Sequence, residues 1–141
     1  MVKINQKMDL CLQLSRFQTM LNRRLDARLG GISFNELIIL YHLNQAEGTK
    51  MRRIDLAEKV GLTASGITRL LLPMEKIGLV SKITDKNDGR VSQVSLSPGG
   101  KTKLYEGMER LELFCEDMSM GTKIKNIEEI SKIIVELGKN I

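Results

Sequence analysis

Apolar residues recur every three or four positions along most of the chain, with short polar or glycine-containing breaks between the runs. In the first run this spacing predicts an amphipathic helix over residues 8–29, ended by the glycines at 30 and 31. Ser33 and Glu36 then have the spacing of a capping box, which predicts a second helix over 34–46. Because this second helix is apolar on nearly every side, we expect it to be buried.

A pair of helices separated by a tight turn is predicted in the middle of the chain. A short amphipathic helix is expected over 52–60, and Gly61 follows as a turn residue that tolerates a positive φ. Thr63 is suited to cap a longer helix over 63–77. The residues expected to face inward are Ile54, Leu56, Ala57 and Val60 on the short helix and Ile67, Leu70, Leu71, Met74 and Ile77 on the longer one.

The longer helix also has a polar side. A helix buried along one stripe and preceded at a tight turn by a shorter helix is the helix-turn-helix arrangement, whose second helix presents its polar face outward. Pro73 lies inside this helix, and because proline removes one backbone hydrogen bond, we expect a kink there. At 100° per residue the outward side carries Ser65, Thr68, Arg69, Leu72 and Lys76.

A β-hairpin is predicted directly after the helix pair. The segment LVSKIT alternates apolar and polar residues, VSQVSL does so less strictly, and DKNDGR between them is rich in turn-forming residues. Such a hairpin beside a helix-turn-helix is a wing, with its tip at 85–90. The predicted fold class is therefore mainly α with a small β-hairpin wing, a winged helix-turn-helix core flanked by N- and C-terminal helices.

Two further helices are predicted at the C-terminal end. Ser97 is expected to cap the first, with Pro98 at its first position. The last helix is expected over about 122–137. Because the apolar stripes of the terminal helices exceed what a small winged core can cover, we expect a homodimer, with 1–30 and 101–141 as dimerisation segments and 31–100 as the lobe. The stripes comprise Leu104, Met108, Leu111, Cys115 and Met118, and Ile124, Ile127, Ile130, Ile134 and Leu137.

Composition and charge limit the function classes. The chain of 141 residues is 42% hydrophobic and 28% charged, as in globular proteins, and its longest apolar run is far shorter than a membrane span. No secretory signal is recognisable at the N-terminus, so we expect a cytoplasmic protein without membrane contact. The net charge is +5, and residues 50–90 carry nine Lys and Arg against five Asp and Glu. This bias is compatible with a polyanionic partner but is weak evidence alone.

The chain resembles the MarR family of bacterial transcription regulators. The resemblance is carried by LAEKVGLTASGITRLLLPMEKIGLVSK and DGRVSQVSLSPGG, with Asp88-Gly89-Arg90 in the wing. Two positions depart from the usual pattern: Gly89 stands where a second arginine is frequent, and Ser97 where threonine is. The resemblance implies an obligate dimer that places each recognition helix in a major groove and each wing in a minor groove. It also implies DNA binding, commonly repression relieved by a small-molecule effector.

Several side chains are candidates for contact with double-stranded DNA, expected to be a pseudo-palindromic operator. Side chains near the N-terminus of a recognition helix meet base edges, and an arginine can pair bidentately with guanine O6 and N7. Arg69 is the strongest candidate for that contact. At the wing, Arg90 suits a narrow minor groove and Lys86 a phosphate. The predicted DNA-binding residues are Thr63, Ala64, Ser65, Thr68, Arg69, Lys86 and Arg90.

Other functions are weighed against DNA binding. An enzyme is not expected, because GLTASGIT lacks the Walker lysine and the single His42 has no partner for catalysis. Neither a cofactor nor a metal is expected, since the two cysteines form no CxxC pair. One alternative is redox sensing through Cys11, which would need a low thiol pKa. The other is a winged-helix module that binds protein. The residues of a pocket for an effector are not predicted.

Overall fold

The computed structural model of the protein describes residues 1–84, 87, 92–118 and 126–141. In chain order the helices and strands are α1 (Gln6–Asp26), α2 (Phe34–Gln45), a 3₁₀ turn (Glu47–Thr49), β1 (Lys50–Arg52), α3 (Arg53–Val60), α4 (Ala64–Lys76), β2 (Val80–Thr84), β3 (Ser92–Leu96), α5 (Pro98–Asp117) and α6 (Ile127–Lys139). The predicted fold class, mainly α with a small β wing, is confirmed.

The strands form an antiparallel sheet in the order β1-β3-β2. The hairpin pairs Val80 with Leu96 and Lys82 with Val94. The third strand, β1, was not predicted, because three residues are too few for an alternating pattern to be recognised. It pairs Arg52 with Gln93 and continues directly into α3 without a connecting residue.

The core lies around α2, which contacts α1, α3, α5, β1 and β3. The expectation that α2 is buried is confirmed by four of its side chains, Leu37, Ile39, Leu40 and Leu43. The predicted capping box is also present: Ser33 Oγ accepts from the N–H of Glu36, and Glu36 Oε1 accepts from the N–H of Ser33.

The first helix is shorter than predicted at its C-terminal end. It stops at Asp26, whereas helical spacing predicted residue 29. Asp26 Oδ1 accepts a hydrogen bond from the N–H of Phe34 at 2.7 Å, which ties the end of α1 to the start of α2. Leu29 is still buried, so its place in the apolar pattern reflects the core rather than the helix.

Two residues that the sequence predicted to face inward are exposed, so these two predictions are wrong. Ile54 is 63% exposed because it lies about 200° around α3 from the buried Leu56, and a helix this short buries a single stripe. Ile77 is 65% exposed because α4 ends at Lys76 and Ile77 is its C-cap residue, outside the helical stripe.

The C-terminal helices also differ from prediction at their starts. Ser97 occupies the N-cap position of α5, but its hydroxyl makes no capping bond and instead pairs with Ser81 Oγ at 2.9 Å. The last helix begins at Ile127, later than predicted, where Asn126 accepts from the N–H of Glu129. In the part of the chain that the structure describes, no helix has the length and apolar character needed to cross a membrane.

Candidate nucleic-acid interface

A tight turn sets the angle between α3 and α4. Gly61 adopts the left-handed conformation with φ 82° and ψ 27°, and its N–H bonds to the carbonyls of Ala57 and Glu58. The N–H of Leu62 also bonds to the carbonyl of Ala57, at 2.9 Å. These bonds complete the end of α3, so α4 leaves the turn in a fixed direction.

The helix α4 is buried on one side and exposed on the other. Ile67, Leu71 and Met74 are buried and anchor it against the core. One continuous helix runs through Pro73, which is itself exposed. The exposed side comprises Ala64, Ser65, Arg69, Leu72, Pro73, Glu75 and Lys76.

Two hydroxyls at the start of α4 are already engaged within the protein. Thr63 Oγ1 accepts from the N–H of Gly66 at 3.1 Å, which confirms the predicted cap. The same oxygen lies 3.2 Å from Ser65 Oγ. Thr63 therefore shapes the helix N-terminus, while Ser65 remains exposed beside it.

Arg69 projects from the middle of the exposed face. It makes neither a hydrogen bond nor an ion pair with any residue that the structure describes. An exposed guanidinium that pairs with no described residue places positive charge on this face, where an anion can dock. Of the remaining predicted residues, Thr68 is half-buried on this helix, and Lys86 and Arg90 lie outside the described residues.

Arginines at the start of α3 were missed by the sequence analysis. Arg53 donates from Nη1 to Thr68 Oγ1 over 3.5 Å, which brings α3 into contact with α4. Arg52 forms a bidentate ion pair with Asp55, from Nε to Oδ2 at 2.9 Å and from Nη2 to Oδ1 at 3.3 Å. The hydrogen bond to Asp55 raises the pKa of Arg52. The adjacent pair Arg52-Arg53 at the start of the short helix was the sequence signal that could have identified them.

A small cavity of about 20 Å³ lies between α4 and the sheet. Its lining includes Arg53, Thr68, Leu72, Glu75 and Lys82. Arg53 of α3 and Lys82 of β2 thus flank α4 from neighbouring elements, and Glu75 of α4 lines the same cavity. Together, the helix pair, the exposed cationic face and the adjacent sheet define a winged helix-turn-helix protein.

Comparison with known proteins supports the resemblance. Residues 32–92 match the model of the MarR family, which confirms that this part of the chain resembles that family. Its similarity extends to the uncharacterized HTH-type transcriptional regulator YdgJ of Bacillus subtilis, with 24% identity over 105 residues. That match covers 74% of this chain and 61% of YdgJ. The family is one of transcription regulators rather than of enzymes.

Solved structures share the whole fold. The transcriptional regulator BldR of Sulfolobus solfataricus superposes with a TM-score of 0.84 at 26% identity, over 100% of both chains. The regulator MosR of Mycobacterium tuberculosis, solved in complex with DNA, superposes with a TM-score of 0.79 at 19% identity, over 92% of this chain and 93% of MosR.

Proposed function

We propose that the protein is a sequence-specific, double-stranded DNA-binding regulator that acts as a homodimer. In this proposal α4, within the predicted range 63–77, enters the major groove and the wing at 85–90 reaches the minor groove. The observation that carries it is the exposed face of α4 with Arg69, which pairs with no residue that the structure describes, backed by Arg53 and Lys82. That MosR, which shares the fold, was solved in complex with DNA supports DNA as the partner.

Affinity-selected binding sites test the proposal. Full-length protein is incubated with a random duplex library, and the enriched site is footprinted. We expect two related half-sites about 10 base pairs apart, because two-fold related helices enter successive major grooves. We also expect affinity to fall steeply with salt as counterions are released. Recovery of no enriched sequence, or an affinity independent of salt, would refute DNA recognition and favour the protein-binding alternative.

The homodimer is proposed from exposed apolar surface. Large apolar side chains are exposed on the first half of α1 and along α6, and α6 buries none of its residues within the described chain. Contiguous apolar surface of this kind marks an interaction site. We propose that residues 1–30 and 101–141 of two copies cover one another. The exposed residues include Met8, Leu12, Phe17, Ile127, Ile130, Ile134 and Leu137.

Replacing Ile134 by glutamate is expected to convert the dimer to monomer at micromolar concentration, because it places a charge in the apolar stripe of α6. Light scattering coupled to size exclusion measures the mass. Lys132→Glu puts a glutamate on the opposite side of the same helix, about 200° around the axis from Ile134, and should leave the dimer intact. A dimer that survives Ile134→Glu would place the interface elsewhere.

We further propose that the protein is a repressor released by a small, largely apolar effector. The support is a groove between α2 and α5 with a volume of about 390 Å³. Its wall includes Phe34, Ile38, Tyr41, His42 and Met108. Burial, followed by the charge of Lys59, lowers the pKa of His42, so its imidazole is neutral at pH 7. A neutral ring suits an uncharged or weakly polar ligand.

Thiol sensing through Cys11 is kept as the alternative mode of release. The observation that favours it is that Cys11 is exposed on α1. Under this alternative, mild peroxide treatment abolishes DNA binding, dithiothreitol restores it, and Cys11→Ser is unaffected. Unchanged DNA binding after the same peroxide treatment would dismiss Cys11 as the sensor and leave the effector groove as the route to release.

A further inference from the structure

The hydroxyl of Thr68 makes two hydrogen bonds within the protein. Thr68 Oγ1 lies 3.0 Å from the carbonyl oxygen of Ala64, to which it donates its single proton. The same oxygen accepts from Arg53 Nη1 over 3.5 Å. A threonine hydroxyl has one donor and two acceptor sites, so the donor and one acceptor are used before DNA arrives.

This engagement limits how Thr68 reads DNA. The acceptors that bases present in the major groove are guanine O6 and N7, adenine N7 and thymine O4, and all of them need a donor. The Thr68 hydroxyl has no proton left for them. What the side chain still offers is one acceptor site, which suits the amino groups of adenine and cytosine, and its methyl group. The apolar group in the major groove that matches the methyl is the C5-methyl of thymine.

Arg53 holds this arrangement in place. It is the first residue of α3, it is half-buried, and its guanidinium approaches Thr68 from the neighbouring helix. The hydroxyl donates to the carbonyl of Ala64 on α4 itself, and it accepts a second hydrogen bond from Arg53 on α3. With both bonds formed, rotation about the Cα–Cβ bond of Thr68 would break two contacts, so the methyl keeps one orientation.

We propose that Thr68 selects thymine through its methyl group and that Arg53 is the positioning residue that fixes the orientation of that methyl. The proposal rests on the proposed DNA-binding function and adds to it the base read at one position of each half-site. It also assigns Arg53 a role in specificity.

Replacing each thymine of the selected site in turn by deoxyuridine, which lacks only the methyl, tests the proposal. For the wild-type protein we expect one thymine per half-site whose replacement lowers affinity about fourfold, the factor that burial of one methyl group provides. Thr68→Ser retains the hydroxyl and removes the methyl, so it should bind the thymine and deoxyuridine sites equally. Thr68→Val has a methyl on both branches of Cβ, so it presents a methyl without the two hydrogen bonds and should keep the fourfold discrimination.

Three further variants separate positioning by Arg53 from competing contacts. Arg53→Ala should reduce the discrimination, and Arg53→Gln, which keeps a donor near Thr68, should restore most of it. Leu72 is 51% exposed one helical turn further on and also presents an apolar surface, so Leu72→Ala is the matched control and should leave the discrimination unchanged.

The outcomes distinguish this proposal from the function it rests on. If no sequence is selected at all, DNA recognition itself fails. If a site is selected but discrimination is absent in the wild type, persists in Thr68→Ser or disappears in Leu72→Ala, the protein recognises DNA and the assignment of Thr68 is overturned. Discrimination that is unchanged in Arg53→Ala overturns the role of Arg53.

Discussion

Replacing Arg69 by alanine is expected to lower operator affinity by about two orders of magnitude. A bidentate arginine–guanine contact contributes about 1–3 kcal/mol of discrimination, and a dimer makes the contact twice. Since Arg69 is exposed and makes no bond to another described residue, its removal should leave the free energy of unfolding within about 0.5 kcal/mol of the wild type.

Fluorescence anisotropy of a labelled operator duplex measures this loss, with urea unfolding as the stability measurement. Arg23→Ala is the control, because Arg23 is an exposed arginine of α1 outside the winged lobe. It removes the same net charge from a different surface. Arg69→Lys separates charge from geometry, since lysine keeps the charge and loses the two-pronged pairing. Affinity within about threefold of the wild type for Arg69→Ala would contradict the base contact.

Replacing Gly100 by alanine is expected to destabilise the fold by about 3 kcal/mol or to prevent folding. A Cβ at this position would overlap the backbone carbonyl oxygen of Leu79 and come within 2.8 Å of Leu96 Cδ1. The backbone cannot yield cheaply here, because the same carbonyl oxygen accepts a hydrogen bond from the N–H of Ser97 at 3.1 Å. Relief of the overlap therefore requires α5 to move away from the turn after α4.

Urea unfolding at fixed protein concentration gives the free energy of unfolding. Gly138→Ala is the matched control, because a Cβ there meets no heavy atom within 4 Å and alanine favours a helix by about 1 kcal/mol. Gly107→Ala should fall between the two, since its Cβ meets a methyl of Leu37, which can shift, rather than backbone. Equal stability of Gly100→Ala and the wild type would show that α5 packs less closely on Leu79 than described.

The sequence predicted what depends on local pattern. The capping residues Ser33 and Thr63 and the buried stripe of α4 follow from neighbours three or four positions apart, and the structure confirms them. The helix-turn-helix and the hairpin were predictable for the same reason. The outward position of Arg69 also follows from helical spacing alone, although its contact with DNA stays a prediction.

What the sequence did not predict depends on partners far along the chain or on where an element stops. The Ser97 hydroxyl was expected to cap α5, but Ser81, sixteen positions away, provides a competing partner. Ile77 was expected to be buried because the end of α4 one residue earlier was not recognised. The contact of Arg53 with Thr68 joins two helices whose relative angle is set by the turn at Gly61, and no periodicity reports such an angle.

The short strand β1 also affects the energetics of DNA binding. It pairs with β3 along Lys50–Arg52 and runs directly into α3, so the hairpin strands Val80–Thr84 and Ser92–Leu96 are joined to the helix pair before any DNA is present. Ordering a segment upon association subtracts conformational entropy from affinity. In the proposed complex with DNA these strands are already paired, so little of their contact energy is spent on ordering them.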